Sequence, residues 1–316
     1  MKGIELSQKY YMKYGLPLIR DKYPDYEERI AVGLVGPGSE CYGFDDDIST
    51  DHDFGPSFCM WLTDEDYAKI GAGLRDAYEK LPQTYMGYKR IVSAHGEGRV
   101  GVFRITEFYL NYTGKPDASL TMDDWLYIPE HFLAEVTNGK VFRDDLGEFS
   151  KIRSLLLNYF PEYVRIKKIA ARASTMAQSG QYNYSRAMRR SEIVAARLSL
   201  DEFIRSTLSM AYLLNRKYQP FYKWAFRGTE SFKILAETRK MIEKLVSLPL
   251  QKDAWSKEND YLWKYSLNMN DRTVELIESI CELVVKELTK QGLTDHTDPF
   301  LENHTATIMS RIKMIK

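Results

Sequence analysis

One segment, residues 29–54, constrains the fold of this chain more than any other. It opens with an apolar run at residues 29–35 (RIAVGLV), which predicts a buried strand ending at the turn Gly36-Pro37-Gly38. Ser39 follows that turn, and the triplet Asp51-His52-Asp53 closes the segment. Because side chains alternate along a strand, a short strand over residues 50–54 puts Asp51 and Asp53 on one face and His52 on the other.

These residue types suit the binding of a nucleotide and its metal ions. Two carboxylates on one strand face can converge on a pair of divalent cations about 4 Å apart. Hard oxygen ligands suit Mg²⁺, which in turn holds the triphosphate of a nucleotide. Gly38 permits close backbone approach to a phosphate, and Ser39 offers its hydroxyl and N–H to the same oxygens. The pattern therefore predicts a site with two Mg²⁺ ions at Asp51 and Asp53 and nucleotide contacts at Gly38 and Ser39. The neighbouring aspartates of residues 45–47 are interpreted as a solvated loop.

This arrangement resembles the signature of the polymerase-β-like nucleotidyltransferase superfamily, which is a hydrophobic residue, Gly-Ser, a spacer and Asp-x-Asp on a strand. The layout of a small α/β lobe before a helical bundle is similar to the kanamycin-nucleotidyltransferase type. The whole chain resembles a bacterial family with a nucleotidyltransferase lobe and a C-terminal helical domain of unknown function. The segments that carry this last resemblance are residues 181–186 (QYNYSR) and 214–224 (LNRKYQPFYKW).

The resemblance implies a reaction, its catalytic residues and its partners. A nucleoside monophosphate would move from an NTP, either ATP or GTP, to the hydroxyl of an unidentified acceptor, with release of pyrophosphate. Asp51 and Asp53 would be the catalytic metal ligands. The acceptor could be a small molecule such as an aminoglycoside, a protein side chain or an RNA end.

The resemblance also implies a third carboxylate on a later strand. The strand predicted over residues 99–105 instead has Gly101 and Val102 at its middle. Glu107 lies just beyond its end and, if the alternation continues, shares a face with Gly101. Glu107 is therefore the candidate for a third catalytic ligand or general base, unless it is a surface or capping residue. Without a third acid, the alternative is a catalytically reduced nucleotide-binding or regulatory protein on the same fold.

The two halves of the chain differ in texture and in charge. Residues 1–150 hold 16 basic and 26 acidic residues, whereas residues 151–316 hold 28 basic and 18 acidic ones, so net charges of −10 and +10 cancel. Short strands, turns and some helices are predicted before residue 149, and mostly helices after it, including residues 191–217, 271–290 and 299–313. The expected fold class is α+β, a small α/β lobe with a mixed sheet and flanking helices over residues 1–148, followed by an all-α helical bundle over 149–316.

The basic half supplies further candidates for nucleotide binding. Lys223, Arg186 and Arg190 could contact phosphates, and Tyr218 could stack on a base. We expect a cleft with the metal site on one wall and these cations on the other. In the alternative interpretation, the aromatic residues pack the bundle and the cations are solvated.

Several classes of protein are disfavoured by composition. Three scattered cysteines do not make a disulfide framework or a zinc site of the CxxC type. The first ten residues lack the apolar run of a signal peptide, and no stretch approaches the ~20 apolar residues of a membrane span. A cytoplasmic protein without a membrane partner is therefore expected. The absence of a strong basic stripe gives no strong signal for nucleic acid. A protein that docks a partner through its helical bundle is a third hypothesis.

Overall fold

The computed structural model describes residues 1–51, 53–91, 98–255 and 267–312. Its fold class is α+β, as expected, with a small mixed sheet, flanking helices and a helical C-terminal part. The chain divides into two compact units, Met1–Tyr159 and Phe160–Lys316. The boundary expected between residues 148 and 149 falls at the start of a helix, Glu148–Leu157, which belongs to the first unit.

A four-stranded sheet forms the centre of the first unit. Its strands are β1 (Ala31–Leu34), β2 (Cys59–Leu62), β5 (Gly101–Arg104) and β6 (Lys140–Arg143), in the order β5-β2-β1-β6. Strand β1 runs antiparallel to β2 and to β6, whereas β2 and β5 are parallel. Strands β3 (Thr84–Tyr85) and β4 (Tyr88–Lys89) form a separate hairpin. The strands predicted over residues 29–35 and 99–105 are thus confirmed as β1 and β5.

The parallel pairing of β2 and β5 requires a crossover, because parallel neighbours cannot be joined by a tight turn. Helix α4 (Asp64–Glu79) lies in that crossover. Thr63 caps it by accepting a hydrogen bond from the N–H of Asp66, and three acidic residues occupy its first turn. Such residues are favourable at a helix N-terminus because they complement the helix dipole.

The remaining helices of the first unit flank the sheet. The N-terminal helical segment consists of α1 (Gly3–Tyr10), one π-helical turn (Tyr11–Gly15) and α2 (Leu16–Lys22). A Cβ on Gly15 would lie 2.5 Å from the ring of Phe58, so the π turn packs its backbone directly on the core. The other helices are α3 (Ser39–Tyr42), α5 (Ile105–Thr113), α6 (Met122–Tyr127), α7 (Glu130–Thr137) and α8 (Glu148–Leu157).

Both faces of the central strands are covered. All four residues of β1 and of β2 are buried, as the apolar composition of these strands requires. On one face, Val32 and Met60 belong to a core cluster with Tyr10 and Phe58. Trp61 is fully buried and stacks on Phe149 of α8 at 4.0 Å between ring centroids. This stacking joins α8 to the central sheet of the first unit.

The second unit is helical throughout its described part. It contains α9 (Glu162–Met176), a π-helical segment (Ala177–Tyr184), α10 (Ser185–Arg189), α11 (Ile193–Leu214), α12 (Tyr222–Gly228), α13 (Ala236–Ser247), α14 (Arg272–Lys290) and α15 (Thr305–Ser310). The helices predicted over residues 191–217 and 271–290 are confirmed as α11 and α14. The predicted helix at 299–313 is a 3₁₀ turn, Leu301–His304, followed by α15, and its last residue lies outside the described part.

Close packing in this unit depends on a glycine. Gly180 lies in the π-helical segment, where a Cβ would overlap the ring of Phe203 on α11. The two backbones can approach this closely only because position 180 has no side chain. Among the described helices, none combines the length and the apolar character that crossing a bilayer requires.

Candidate functional site

The turn after β1 is held in place by the side chain of Asn138, the residue that follows α7. The amide of Asn138 accepts a hydrogen bond from the N–H of Gly36 at 3.0 Å and donates one to its carbonyl at 2.9 Å. Gly36 and Gly38 have φ angles of +129° and +143°, in the region that favours glycine. Ser39 then begins α3, a single helical turn. The segment therefore forms a strand, a glycine turn and the start of a short helix.

The Asp-x-Asp motif is not on a strand, and that prediction is wrong. Residues Ile48–Thr50 form a 3₁₀ turn, Asp51 follows it in a helical conformation, and Asp53 has a φ of +49°. The strand begins only at Cys59. Asp51 is exposed and Asp53 is half-buried. The argument from side-chain alternation therefore does not apply, and His52 lies outside the described residues.

Side-chain hydrogen bonds explain this turn. The Oδ1 atom of Asp46 accepts from the backbone N–H of Ile48 at 3.2 Å and of Ser49 at 3.1 Å. The hydroxyl of Thr50 donates to the carbonyl of Asp47 at 2.8 Å. Such local bonds compete with strand pairing and stabilise turns. Asp46 and Asp47 are exposed, in agreement with a solvated loop.

Asp45 is buried, so the interpretation of a solvated loop is wrong at this position. Its side chain is 4% exposed and accepts a hydrogen bond from the N–H of Gly3 at 2.9 Å. The ammonium of Lys2 lies 3.6 Å from the other carboxylate oxygen. Asp45 therefore ties the start of α1 to the segment that follows α3.

A buried ion pair connects the Gly-Ser turn with the Asp53 turn. Arg99 donates through Nη2 to the carboxylate of Glu40 and through Nη1 to the carbonyl of Asp53. The side chains of Arg99 and Glu40 are only 14% and 9% exposed. Burial alone would lower the pKa of Arg99, but the charge and hydrogen bond of Glu40, together with weaker contributions from Cys41 and Asp53, outweigh burial, and the pKa is raised. A side chain on Gly38 would overlap both members of the pair.

The sequence prediction missed Glu40 and Arg99. Glu40 follows Ser39 directly, and Arg99 lies two residues before Gly101, where the pairing of β5 with β2 begins. Neither residue belongs to the motif, and an interaction between positions so far apart in the chain carries no local signal. Only their proximity to two recognisable elements could have indicated them.

Glu107 does not continue strand β5, and its predicted placement is wrong. Helix α5 begins at Ile105, and Glu107 is exposed in its first turn. An acidic residue there is favourable for the helix itself. Across the described residues, no group of three or more His, Cys, Asp or Glu side chains is arranged to hold a metal ion.

A second carboxyl group near Arg99 was also missed. Burial raises the pKa of Glu135, on α7, to about 7, and the charge of Arg99 partly opposes that shift. Burial and the charge of Glu135 raise the pKa values of Tyr42 and Tyr112 as well. Asn138 directly follows α7 and binds Gly36, so the helix that carries Glu135 is joined to the glycine turn.

The four candidates from the basic half lie in the second unit. Arg186 stacks on Tyr182 at 4.9 Å and donates to its hydroxyl at 2.9 Å. The ammonium of Lys223 lies 5.3 Å from the ring of Trp224. Tyr218 packs edge-on against Phe160 at 5.0 Å, which favours the packing alternative for this residue. Arg186, Arg190 and Lys223 are exposed, and their contacts with phosphate stay predictions.

Part of the QYNYSR segment has a structural role. Gln181 donates to Glu278 at 2.7 Å and to the carbonyl of Pro299 at 2.9 Å, and it accepts from the N–H of Leu301 at 3.0 Å. The hydroxyl of Tyr184 donates to the fully buried Asp271 at 3.0 Å. These bonds join the π-helical segment to α14 and to the chain before α15.

Comparison with known proteins adds one similarity. Residues 125–225 match a family model described as a domain of unknown function (DUF4037). The matched region includes α7, Asn138 and both segments, residues 181–186 and 214–224. Neither a curated protein nor a solved structure matches the chain.

Proposed function

We propose that this protein is a Mg²⁺-dependent nucleotidyltransferase. It would transfer a nucleoside monophosphate from ATP or GTP to an acceptor hydroxyl and release pyrophosphate. The observation that carries the proposal is the turn Gly36–Ser39 at the end of a central strand, joined through Glu40 and Arg99 to the Asp53 turn. We place this activity in the cytoplasm, where nucleoside triphosphates are available.

The donor chemistry of the two turns fits Mg²⁺. This ion prefers oxygen ligands and is commonly held by one or two carboxylates together with substrate phosphates and water. Asp51 and Asp53 would supply the carboxylates, and two ions are proposed. When bound, the ions neutralise charge on the phosphates of the nucleotide.

The protein's own groups account for nucleotide binding in this proposal. The N–H and the hydroxyl of Ser39, which follows the turn at Gly38, can donate to a phosphate oxygen. The space beside the Cα of Gly38 is filled by Arg99 and Glu40. Asn138 fixes the preceding peptide, so that these donors keep their orientation. Catalysis would then consist of orienting the nucleotide and the acceptor rather than of covalent chemistry on the protein.

The proposal is tested by comparing two sets of charge-removing variants. Wild type and the double variant Asp51→Asn/Asp53→Asn are incubated with each NTP, Mg²⁺ and a panel of hydroxyl acceptors, and pyrophosphate is measured. Asp47→Asn, an exposed aspartate of the same loop, is the matched control. We expect the double variant to lose pyrophosphate release and the control to keep it. Equal turnover in all three proteins would contradict the proposal.

One observation favours a second candidate, a nucleotide-binding or regulatory protein without transfer. Glu107 is exposed on α5, so the predicted third carboxylate does not extend the strand face. Calorimetry that detects Mg²⁺–nucleotide binding, with no pyrophosphate from any acceptor, would support this candidate. Absence of nucleotide binding would instead favour a protein that docks a partner.

The role of the basic residues in the second unit is a separate proposal. Arg186→Gln, Arg190→Gln and Lys223→Gln should each weaken nucleotide binding if these cations contact phosphate. Lys240→Gln, a change on α13, is the control. A loss of affinity no larger than in the control would leave these cations outside the site.

A further inference from the structure

We propose that Arg99 and Glu40 are positioning residues, which fix the Asp53 turn against the Gly38–Ser39 turn and so set the affinity for a metal–nucleotide complex. This inference deepens the proposed function and rests on it. It assigns a role to two residues outside the Gly-Ser and Asp-x-Asp motifs. Neither residue is assigned to metal binding or to chemistry.

The guanidinium of Arg99 starts from a fixed backbone. The carbonyl of Arg99 accepts a contact from the thiol of Cys59 at 3.4 Å, and the N–H of Gly101 donates to the carbonyl of Phe58 at 3.1 Å. Both contacts tie the start of β5 to the start of β2. The backbone of Arg99 is therefore held in place by the central sheet. Its side chain can in turn hold the two turns that it contacts.

From this base the guanidinium contacts both turns. One nitrogen donates to the carbonyl of Asp53, and the other binds the carboxylate of Glu40, one residue after Ser39. The fork of an arginine holds two acceptors in a fixed mutual geometry, which a lysine cannot reproduce. The contact from Arg99 to Asp53 is with its backbone carbonyl, so it holds the backbone of the turn.

The Asp53 turn needs such a support. It lies between the 3₁₀ turn at Ile48–Thr50 and the first residue of β2, Cys59, and Asp53 has a left-handed φ of +49°. A non-glycine residue in this region keeps its conformation only when its surroundings hold it there. The bond from Arg99 to the Asp53 carbonyl, together with the pairing of Phe54 with Ile91, provides that hold.

A second ion pair in the same unit provides a matched control. Arg29 binds the carboxylate of Asp66 through three contacts of 2.9–3.1 Å, and the side chain of Asp66 is 1% exposed. This pair joins the segment before β1 to the N-terminal turn of α4 and touches neither the Gly-Ser turn nor the Asp53 turn. Loss of Arg29 should therefore cost stability without changing the site.

The experiment compares Arg99→Gln, Arg99→Lys and Glu40→Gln with Arg29→Gln in the full chain. Binding of Mn²⁺, a paramagnetic substitute for Mg²⁺, is followed by electron paramagnetic resonance with ATP or GTP present. Hydrogen exchange of the peptide that covers the Asp53 turn is measured in parallel, and thermal unfolding shows which variants are folded. Glu40→Gln is nearly isosteric, so it keeps the test available if Arg99→Gln does not fold.

We expect Arg99→Gln and Glu40→Gln to weaken Mn²⁺–nucleotide binding about tenfold or more, as loss of groups that orient metal ligands does. The affinity of Arg99→Lys for Mn²⁺–nucleotide should lie between the affinities of these two variants and that of wild type. Exchange in the Asp53 turn should accelerate in Arg99→Gln and stay unchanged in Arg29→Gln, which should also bind Mn²⁺ within about twofold of wild type, as expected of a pair remote from the ligands.

Two results would contradict the reasoning, and they are distinguishable. If the Arg99 and Glu40 variants lose stability as Arg29→Gln does but keep the Mn²⁺ affinity and the exchange rate of wild type, the pair is only structural and the inference is overturned. If wild type itself binds no Mn²⁺–nucleotide, the proposed function fails before any variant is compared.

Discussion

Replacing Gly38 by alanine tests how tightly the Gly-Ser turn is built. The backbone at Gly38 has a φ of +143°, and a Cβ there would overlap the guanidinium of Arg99 and the carboxylate of Glu40. Flexible side-chain ends can often move away at small cost. Here both ends are buried and bound to each other, so one cannot move without loosening the pair.

The expected cost has two parts. Placing a non-glycine residue in a glycine-only backbone region costs about 1–3 kcal/mol. Breaking a buried ion pair costs up to about 3–5 kcal/mol, of which a displaced but not deleted pair should lose only a part. We therefore expect Gly38→Ala to lower the free energy of unfolding by about 3–5 kcal/mol.

Gly43 is the matched control, because it also has a positive φ, +71°, but among the described residues other than its chain neighbours no atom lies within 4 Å of the position of its Cβ. Gly43→Ala should therefore cost only the left-handed backbone strain, about 1–2 kcal/mol. Urea unfolding of both variants, with the dependence on urea concentration checked for constancy, measures the difference. If Gly38→Ala is no less stable than Gly43→Ala, the turn adapts freely and the reasoning is refuted.

Three further changes test other parts of the structure. Burial raises the pKa of Glu135 from 4.5 to about 7, so its ionisation destabilises the fold as the pH rises through that range. Glu135→Gln should therefore stabilise the protein by about 2–3 kcal/mol at about pH 8 and hardly at about pH 4.5, as measured by urea unfolding. Gly180→Ala should lower the thermal unfolding midpoint, at a cost of about 1–3 kcal/mol, since its methyl group overlaps the ring of Phe203. Asn138→Ala leaves the peptide groups of the buried Gly36 without their partner and should cost about 2–3 kcal/mol in urea unfolding.

For each of these three changes, one result would contradict the prediction. The same pH dependence in wild type and Glu135→Gln would mean that burial does not hold this carboxyl group neutral. An unchanged midpoint in Gly180→Ala would mean that the π-helical segment can move away from α11. Wild-type stability in Asn138→Ala would mean that water replaces the side chain at Gly36.

The fold was predictable where its signal is local. Strands β1 and β2 are apolar runs next to turns, and Thr63 with its acidic neighbours gives the start of α4. The helices α11 and α14 follow from their apolar periodicity. In each case, the residues that decide the structure lie within a few positions of one another, so the local sequence is sufficient to predict the element.

The candidate site was less predictable because longer-range and competing contacts decide it. Residues 50–54 have the pattern of a strand, but the side chain of Asp46 bonds to the backbone and favours a turn. A helix begins at Ile105, so Glu107 does not lie on the strand face. A short apolar run such as this one fits a strand and a helix equally well, so the sequence does not show where β5 ends. The contact between Glu40 and Arg99 depends on the pairing of β2 with β5, which the sequence does not display.

The position of β6 has a consequence for synthesis on the ribosome. Leu34 of β1 pairs with Lys140 of β6, and the amide that holds Gly36 belongs to Asn138. At the usual pace of translation, the polypeptide between these partners takes about 5–20 s to emerge. During that time β1 is an apolar edge strand without its neighbour, which is a known hazard for aggregation. The nascent chain thus has a defined window in which a chaperone should recognise β1, and this window closes when residue 143 leaves the exit tunnel.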